Sequence, residues 1–270
     1  MATSRRNITK LINRAVQGQP IHKAFVCDLM KAIEQKELNN RNKPSKYYKP
    51  SSLICLRQMY FTRIGAEQDN VRDEYTGIGM ADTGTRRHVA IQEALIWMNS
   101  QENCDWEYVD VEEYIKYKQS KGKCLNLIVK GKRGAETHLI DTVLGVSFMC
   151  DGIIRNKRTG LYYLFEFKNQ VSFKYNSKDK VDEEHIAQVS TYCMELDLDY
   201  AFVVYENRDV CELNCPELLH VTDEMKQAPV EKILECESYV ERLIPPPKHP
   251  DDKPCRWCRY KTECRKAGAR

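Results

Sequence analysis

Apolar positions recur with two different periods along this chain, and the change of period divides it. Across residues 21–38, IHKAFVCDLMKAIEQKEL, they fall at helical spacing. Residues 39–50, NNRNKPSKYYKP, are polar, carry two prolines and read as a linker. SSLICLRQMYFTRIG predicts a helix with Ser51 or Ser52 as its cap and Gly65 as its stop. A stronger helix is expected over 80–99, with His88, Ile91, Leu95 and Met98 as its inner stripe. From 106 to 168 the period drops to that of strands. THLIDTVLGVSFMCDGIIRN reads as two strands turning near Leu144-Gly145, and GLYYLFEFKN as a third. A helix over about 182–196, a buried strand YAFVVYEN and a long helix over about 222–243 follow, before IPPPKHPDDKP, which proline excludes from helix. Strands bracketed by helices predict an α/β fold.

Composition narrows the class. With 270 residues and 42% of them hydrophobic, the chain can bury one substantial core. No run of 18 apolar residues exists, so no membrane-spanning helix is expected. The start, MATSRRNITK, is basic but lacks the apolar stretch of a secretory signal. A net charge of +3 neither demands nor excludes nucleic acid, so such binding would rest on a local patch. Twelve cysteines without a signal fit a reducing cytoplasm, most thiols free and a few on a metal, better than a disulfide scaffold. The lysine-dense KYKQSKGKCLNLIVKGKRG is either a solvated loop or a phosphate-contacting arm.

Chemistry concentrates in the third strand. Residues i and i+2 share a strand face, so Glu166 and Lys168 point one way while Phe167 packs behind them. Asp151, upstream, sits in a hydrophobic strand able to pair with the Glu166 strand; a turn aspartate before Gly152 is the plainer reading. Aspartate beside glutamate on neighbouring strands makes an oxygen-rich site for Mg2+ or Mn2+. His88 lies on the apolar stripe of its helix, where a lone histidine is more often a hydrogen-bonded core residue than a ligand, and Gly84, four residues earlier, permits close backbone approach. Gln188 and Tyr192 lie at i and i+4 of a helix. Cys255, Cys258 and Cys264 form a C-x2-C-x5-C run, three of the four ligands that a thiolate-bound metal takes; alone it suits zinc as well as iron. Cys211 and Cys215 are a near pair, in a loop or on a metal.

The order His88, Asp151, Glu166-x-Lys168, Gln188-x3-Tyr192, then three cysteines, resembles the PD-(D/E)xK nucleases of the RecB type. It is most similar to the CRISPR-associated exonuclease branch, which shares a four-cysteine iron–sulfur cluster with the AddB nuclease domain. The likeness spans roughly residues 51–264. It implies Cys55 as the fourth ligand, with Ser52, Cys55, Arg57 and Tyr60 matching the family segment and Leu56 standing where the family often has proline. The implied fold is a restriction-endonuclease-like α/β core, a mixed central sheet flanked by helices, with a helical iron–sulfur lobe. Residues 1–50 would be an N-terminal helical extension, and 51–270 the nuclease domain, its [4Fe-4S] lobe built from residues near 51–65 and 244–270.

By that resemblance His88, Asp151, Glu166 and the Phe167 carbonyl bind Mg2+ or Mn2+, Lys168 is catalytic, and Gln188 and Tyr192 position DNA or support the lysine. The implied activity is exonuclease hydrolysis of single-stranded DNA, with endonuclease activity open, in a prokaryotic or phage-infected cytoplasm, beside a helicase, recombination or CRISPR adaptation partner. The alternative is a non-catalytic nucleic-acid-binding or adaptor protein on a nuclease-like core; a structural zinc protein is a third reading. Arg256, Trp257, Arg259, Tyr260, Lys261 and Arg265 alternate cations with aromatics, as a single-strand surface or as a cluster shell with snorkelling side chains.

Overall fold

The computed structural model describes residues 20–39, 45–69, 75–133, 136–251, 255 and 258–268. The chain divides into two compact units, Met1–Lys43 with Asn70–Asp82, and Pro44–Asp69 with Thr83–Arg270. In the first unit the expected helix forms as α1 (Ile21–Asn39) and buries none of its residues. The rest of the expected extension and linker, residues 1–19 and 40–44, lies outside the described residues, as do Arg256 and Trp257.

The second unit holds the predicted strands. After a 3-10 turn (Pro50–Ser52) comes α2 (Leu56–Ile64), ended by Gly65 at φ 70° as the sequence requires. Its cap is not Ser51 or Ser52. Proline starts the turn that takes both serines, Ser52 Oγ donates to the Lys49 carbonyl, and extended Cys55 opens the helix. α3 (Tyr75–Met98) begins five residues earlier than its stripe predicts and buries Gln92 and Leu95. A Cβ at Gly84 would meet no atom within 4 Å, so close approach is not the reason for that glycine.

Next come β1 (Trp106–Val109) and α4 (Val111–Ser120). The helix interrupts a stretch expected to be all strand. Asp110 caps it, accepting from the Glu112 and Glu113 N–H groups, while Val111, Tyr114 and Ile115 face inward at i, i+3 and i+4. The lysine-dense segment is accordingly no single loop; it closes α4 and runs into β2 (Leu127–Arg133). β3 (Glu136–Asp141) and β4 (Val146–Cys150) follow, turning at residues 142–145. One residue, Asp151, separates β4 from β5 (Gly152–Asn156).

The remainder is β6 (Tyr162–Gln170), a short α5 (Ser172–Tyr175), α6 (Glu183–Leu196), β7 (Tyr200–Asn207), β8 (Glu212–Asn214), β9 (Leu218–His220), α7 (Asp223–Arg242) and α8 (Lys261–Gly268). Among the described residues β1-β5-β6-β7-β8 form one sheet, with β9 also on β7, and β2-β3-β4 a second, antiparallel one. The larger sheet is mixed, because β6 and β7 run parallel across the α6 connection while its other pairs are antiparallel. The architecture is thus the expected mixed α/β fold, a central mixed sheet flanked by helices.

Alternation in β6 sorts its two faces. Tyr163, Phe165 and Phe167 pack toward Ile91 and Leu95 of α3. Leu164 joins the other core, with Val189, Tyr192 and Leu196 of α6. Glu166 and Lys168 share that second face, as the period of two demands, and bond to Gln188 of α6. No helix among the described residues is long and apolar enough to cross a membrane.

Candidate metal centre

The junction at Asp151 gathers the donors. Beyond the Gly152–Phe165 pair, β6 continues without β5 beside it. Asp151 fills that place, its Oδ2 accepting from the Phe167 backbone N–H at 2.9 Å. A strand residue turns its N–H and C=O to the same side, so the Phe167 carbonyl faces the Asp151 side as well. The other carboxylate oxygen, Oδ1, meets His88 Nδ1 at 3.2 Å and the Gln92 amide at 3.5 Å, both from α3. His88 is steadied edge-on against Phe167, ring centroids 5.0 Å apart.

Glu166 lies on the opposite side of the strand. Its Oε1 accepts from Lys168 Nζ at 2.7 Å and from the Gln188 amide at 2.9 Å. The Gln188 carbonyl oxygen accepts from the same ammonium at 2.9 Å, and its amide also donates to the Tyr192 hydroxyl at 2.7 Å. Gln188 therefore locks Lys168 to Glu166, and Tyr192, stacked on Phe148, locks Gln188. The second oxygen of Glu166, Oε2, is buried with no partner.

Charge follows from this packing. Burial pushes the Glu166 carboxyl up to about 7, Lys168 pulling against it and the Asp151 charge adding to it. Burial draws the His88 imidazole down, but its bond to Asp151 and the charges of Asp151 and Glu166 outweigh that, and the net shift is upward. Desolvation first, then the Glu166 charge, raises the Tyr192 hydroxyl far above its usual range, so it stays protonated.

The residues His88, Asp151, Glu166, Phe167, Lys168, Gln188 and Tyr192 thus stand in one continuous constellation. The donors fit a hard divalent cation. An unpartnered buried carboxylate oxygen destabilises the fold unless something positive meets it; carboxylate and carbonyl oxygens suit Mn2+ or Mg2+, and the imidazole beside them favours the transition metal. One participant is new. Glu136, His88 and Asp151 each offer a ligand atom, all within 4.8 Å of one another. The register shows why: Thr137 pairs with Cys150, so the next step places Glu136 opposite Asp151. The turn at residues 142–145 sets this register; a turn on Leu144-Gly145, as the sequence suggests, would instead place Glu136 opposite Ile153.

A second group, Asp182, Glu184 and His185, has similar spacing but is occupied by its own bonds. Asp182 pairs with Lys178, and His185 Nδ1 meets the Tyr205 hydroxyl at 2.8 Å. Burial, then the Lys168 charge, lowers His185 to about 3, leaving it neutral.

The four cysteines form a separate place. Cys55, Cys255, Cys258 and Cys264 line one cavity of about 350 Å3 together with Arg57, Lys248, Lys261 and Arg265. Arg57 donates to the Cys264 carbonyl at 3.0 Å and to its Sγ at 3.4 Å, and the Tyr260 N–H approaches Cys258 Sγ at 3.4 Å. Four thiols ringed by cations and N–H donors fit a thiolate-held group. Burial raises the Cys258 thiol, and the three other cysteines raise it further. Tyr260 is buried against Phe61, its hydroxyl accepting from Gln68, so it belongs to this wall and offers no stacking surface. Cys211 and Cys215 are exposed, on either side of β8.

No family model and no curated protein matches this chain. Among solved structures it is similar to a protein described as SSO0001, with 15% identity, a TM-score of 0.43, and 91% of this chain and 97% of that one covered. It is also similar to an alkaline exonuclease, LHK-Exo, from Laribacter hongkongensis, with 14% identity, a TM-score of 0.41, and 74% and 92% covered. The same exonuclease in complex with dAMP gives 13% identity and a TM-score of 0.42 over the same shares. Likeness at that level bears on no residue of the site.

Proposed function

We propose that the chain is a metal-dependent deoxyribonuclease that hydrolyses phosphodiester bonds in single-stranded DNA from an end. One observation carries this reading: a buried carboxylate with an unpartnered oxygen, on the same face as a lysine held by a glutamine, across the strand from a His–Asp pair. An ion pair serving stability alone would satisfy both oxygens. His88, Asp151, Glu166 and the Phe167 carbonyl would hold Mg2+ or Mn2+. Bound there, such a cation supplies activation of water at neutral pH and relief of charge on the scissile phosphate.

The protein's own groups do the rest. Lys168, kept in place by Gln188, donates a hydrogen bond to the attacking water or to a phosphate oxygen as charge builds on it. Tyr192, protonated throughout, holds the Gln188 amide and so fixes the lysine's direction. Phe173, 88% exposed just beyond the end of β6 and next to Lys174, offers a base-stacking face to a single strand.

The cysteine cavity supports a structural [4Fe-4S] cluster on Cys55, Cys255, Cys258 and Cys264. The cluster would clasp α2 to α8, where Arg57 already reaches Cys264.

Degradation of end-labelled single-stranded DNA with Mn2+ or Mg2+, by anaerobically purified protein, tests the reading, with Lys168→Ala as control. Cleavage by the wild type alone is expected. A folded, iron-loaded, Mn2+-binding wild type that never cuts, with or without a helicase partner, would replace it with a nucleic-acid-binding adaptor.

A further inference from the structure

We propose that Arg87 binds one backbone phosphate of the substrate strand through the outer edge of its guanidinium, beside the metal centre. The proposal rests on the nuclease reading above and deepens it by adding a phosphate subsite. Arg87 precedes His88 on α3, and its side chain is 36% exposed. Its Nε donates to both oxygens of Glu206, at 2.9 and 3.1 Å, and its Nη2 donates to Oε1. Glu206 is fully buried on β7 and also accepts from Asn169 Nδ2 at 2.7 Å. Side-on pairing of this kind uses only the edge made by Nε and Nη2. Nη1 has no partner among the described residues and is not buried. Together with the outer hydrogen of Nη2 it forms a second edge, matched to two oxygens of a phosphate.

The placement favours a substrate contact over a purely structural pair. A buried carboxylate paired with arginine seldom outdoes apolar residues of the same volume in stability, so stability alone does not account for it. A guanidinium serving only to neutralise Glu206 would be buried with it. What the pair does provide is orientation. Three bonds to Glu206, itself held by Asn169, fix the fork before any strand arrives, so less freedom is lost on binding. The position along the sheet is also set. His88 packs on Phe167, and Glu206 lies opposite Asn169 in the β6–β7 register. Phe167 and Asn169 are i and i+2 on one strand face, so Arg87 acts about 7 Å further along β6 than His88. That step is comparable with the one between successive phosphates of a single strand. It leads toward the end of β6, just beyond which the exposed Phe173 follows.

The test is a chemical double-mutant cycle. Binding of a dye-labelled single-stranded oligodeoxynucleotide is measured by fluorescence anisotropy with Mn2+, in a Lys168→Ala parent that does not cut. One linkage at a time, stepping in from the end, is replaced by an uncharged methylphosphonate. Adding Arg87→Met to the parent is expected to weaken binding of the natural strand about tenfold, the loss of one charge-assisted contact. At one linkage the methylphosphonate should weaken the parent by a similar factor and leave the Arg87→Met protein unchanged. Arg87→Lys keeps the charge but not the fork, and should recover only part of the affinity. Arg87→Met strands the Glu206 charge; where that variant fails to fold, Arg87→Met with Glu206→Gln removes both charges and carries the same expectation. A merely structural Arg87 would lower Tm and leave every linkage equally sensitive in variant and parent. That result, or a parent indifferent to methylphosphonate at every linkage, would overturn the proposal. Failure of the nuclease reading looks different: the linkage-specific contact present, and the natural strand bound but uncut by the protein with Lys168 in place.

Discussion

Glu166→Gln should stabilise the metal-free protein while abolishing its activity. Burial first, and the Asp151 charge after it, lift this carboxyl from 4.5 to about 7 against the pull of Lys168. At about 1.4 kcal/mol for each tenfold change in proton affinity, keeping it ionised costs the metal-free fold on the order of 3 kcal/mol. Glutamine retains the volume and an acceptor for Lys168, and the lost ion pair is already contained in that figure. The gain above pH 7 is up to about 3 kcal/mol, or roughly 6–12 °C in Tm for a unit of this size. The raised pKa fixes the sign. Wild-type Glu166 contributes its stability fully below pH 4.5 and has lost it once pH passes about 7. The gap between variant and wild type therefore opens from pH 4.5 to 7 and is flat above. Thermal unfolding in EDTA between pH 4.5 and 8.5 reads this directly. Millimolar Mn2+ should reverse the order, because only the wild type keeps the full donor set. A variant less stable than wild type at pH 8 without metal, or a gap that ignores pH, would refute the reasoning.

Three further outcomes are expected. Glu195, buried on α6 against Asp141, is lifted to about 8 by burial first and by the Asp141 charge and hydrogen bond after it. Its contribution is full below about pH 4.5 and lost as pH rises through 8, so Glu195→Gln should match wild type in stability at pH 4.5 and exceed it at pH 9 by up to about 5 kcal/mol. Glu206, fully buried on β7, accepts from Arg87 through two nitrogens and from Asn169, one residue away from His88 and Lys168 respectively. Glu206→Ala should cost about 2–4 kcal/mol in urea unfolding and weaken Mn2+ binding by shifting α3. Cys55→Ser should lower iron and acid-labile sulfide per chain to a small fraction of wild type, measured after anaerobic purification; full loading would remove Cys55 from the cavity's chemistry.

Much of this was legible because it is local. The alternation in Tyr162–Asn169 placed Glu166 and Lys168 on one face and Phe167 on the other, and the structure keeps them there. The spacing of Gln188 and Tyr192 puts them on one helical face, where they meet in a hydrogen bond. What escaped was set by distant or competing partners. α4 reads as charged and aromatic, and its helix depends on Asp110 capping it and on Tyr114 reaching the core. Pro50 drew the serines into a turn, so α2 opens at Cys55 instead. Glu136 has no local signature; only strand register brings it to Asp151.

The one-residue step at Asp151 also governs which changes in chain length the protein can absorb. Cys150 is held in the β3 ladder and Gly152 in the β6 ladder, with Thr137 and Phe165 as their partners. An alanine inserted between them cannot be accommodated by either ladder without slipping it, and a slip of one residue turns every side chain of that strand to the opposite face. The turn at residues 142–145, where Val143 stands 72% exposed, has no such double anchorage and can lengthen into solvent. Insertions should thus be tolerated at that turn and rejected at Asp151, nine residues or fewer away along the same chain.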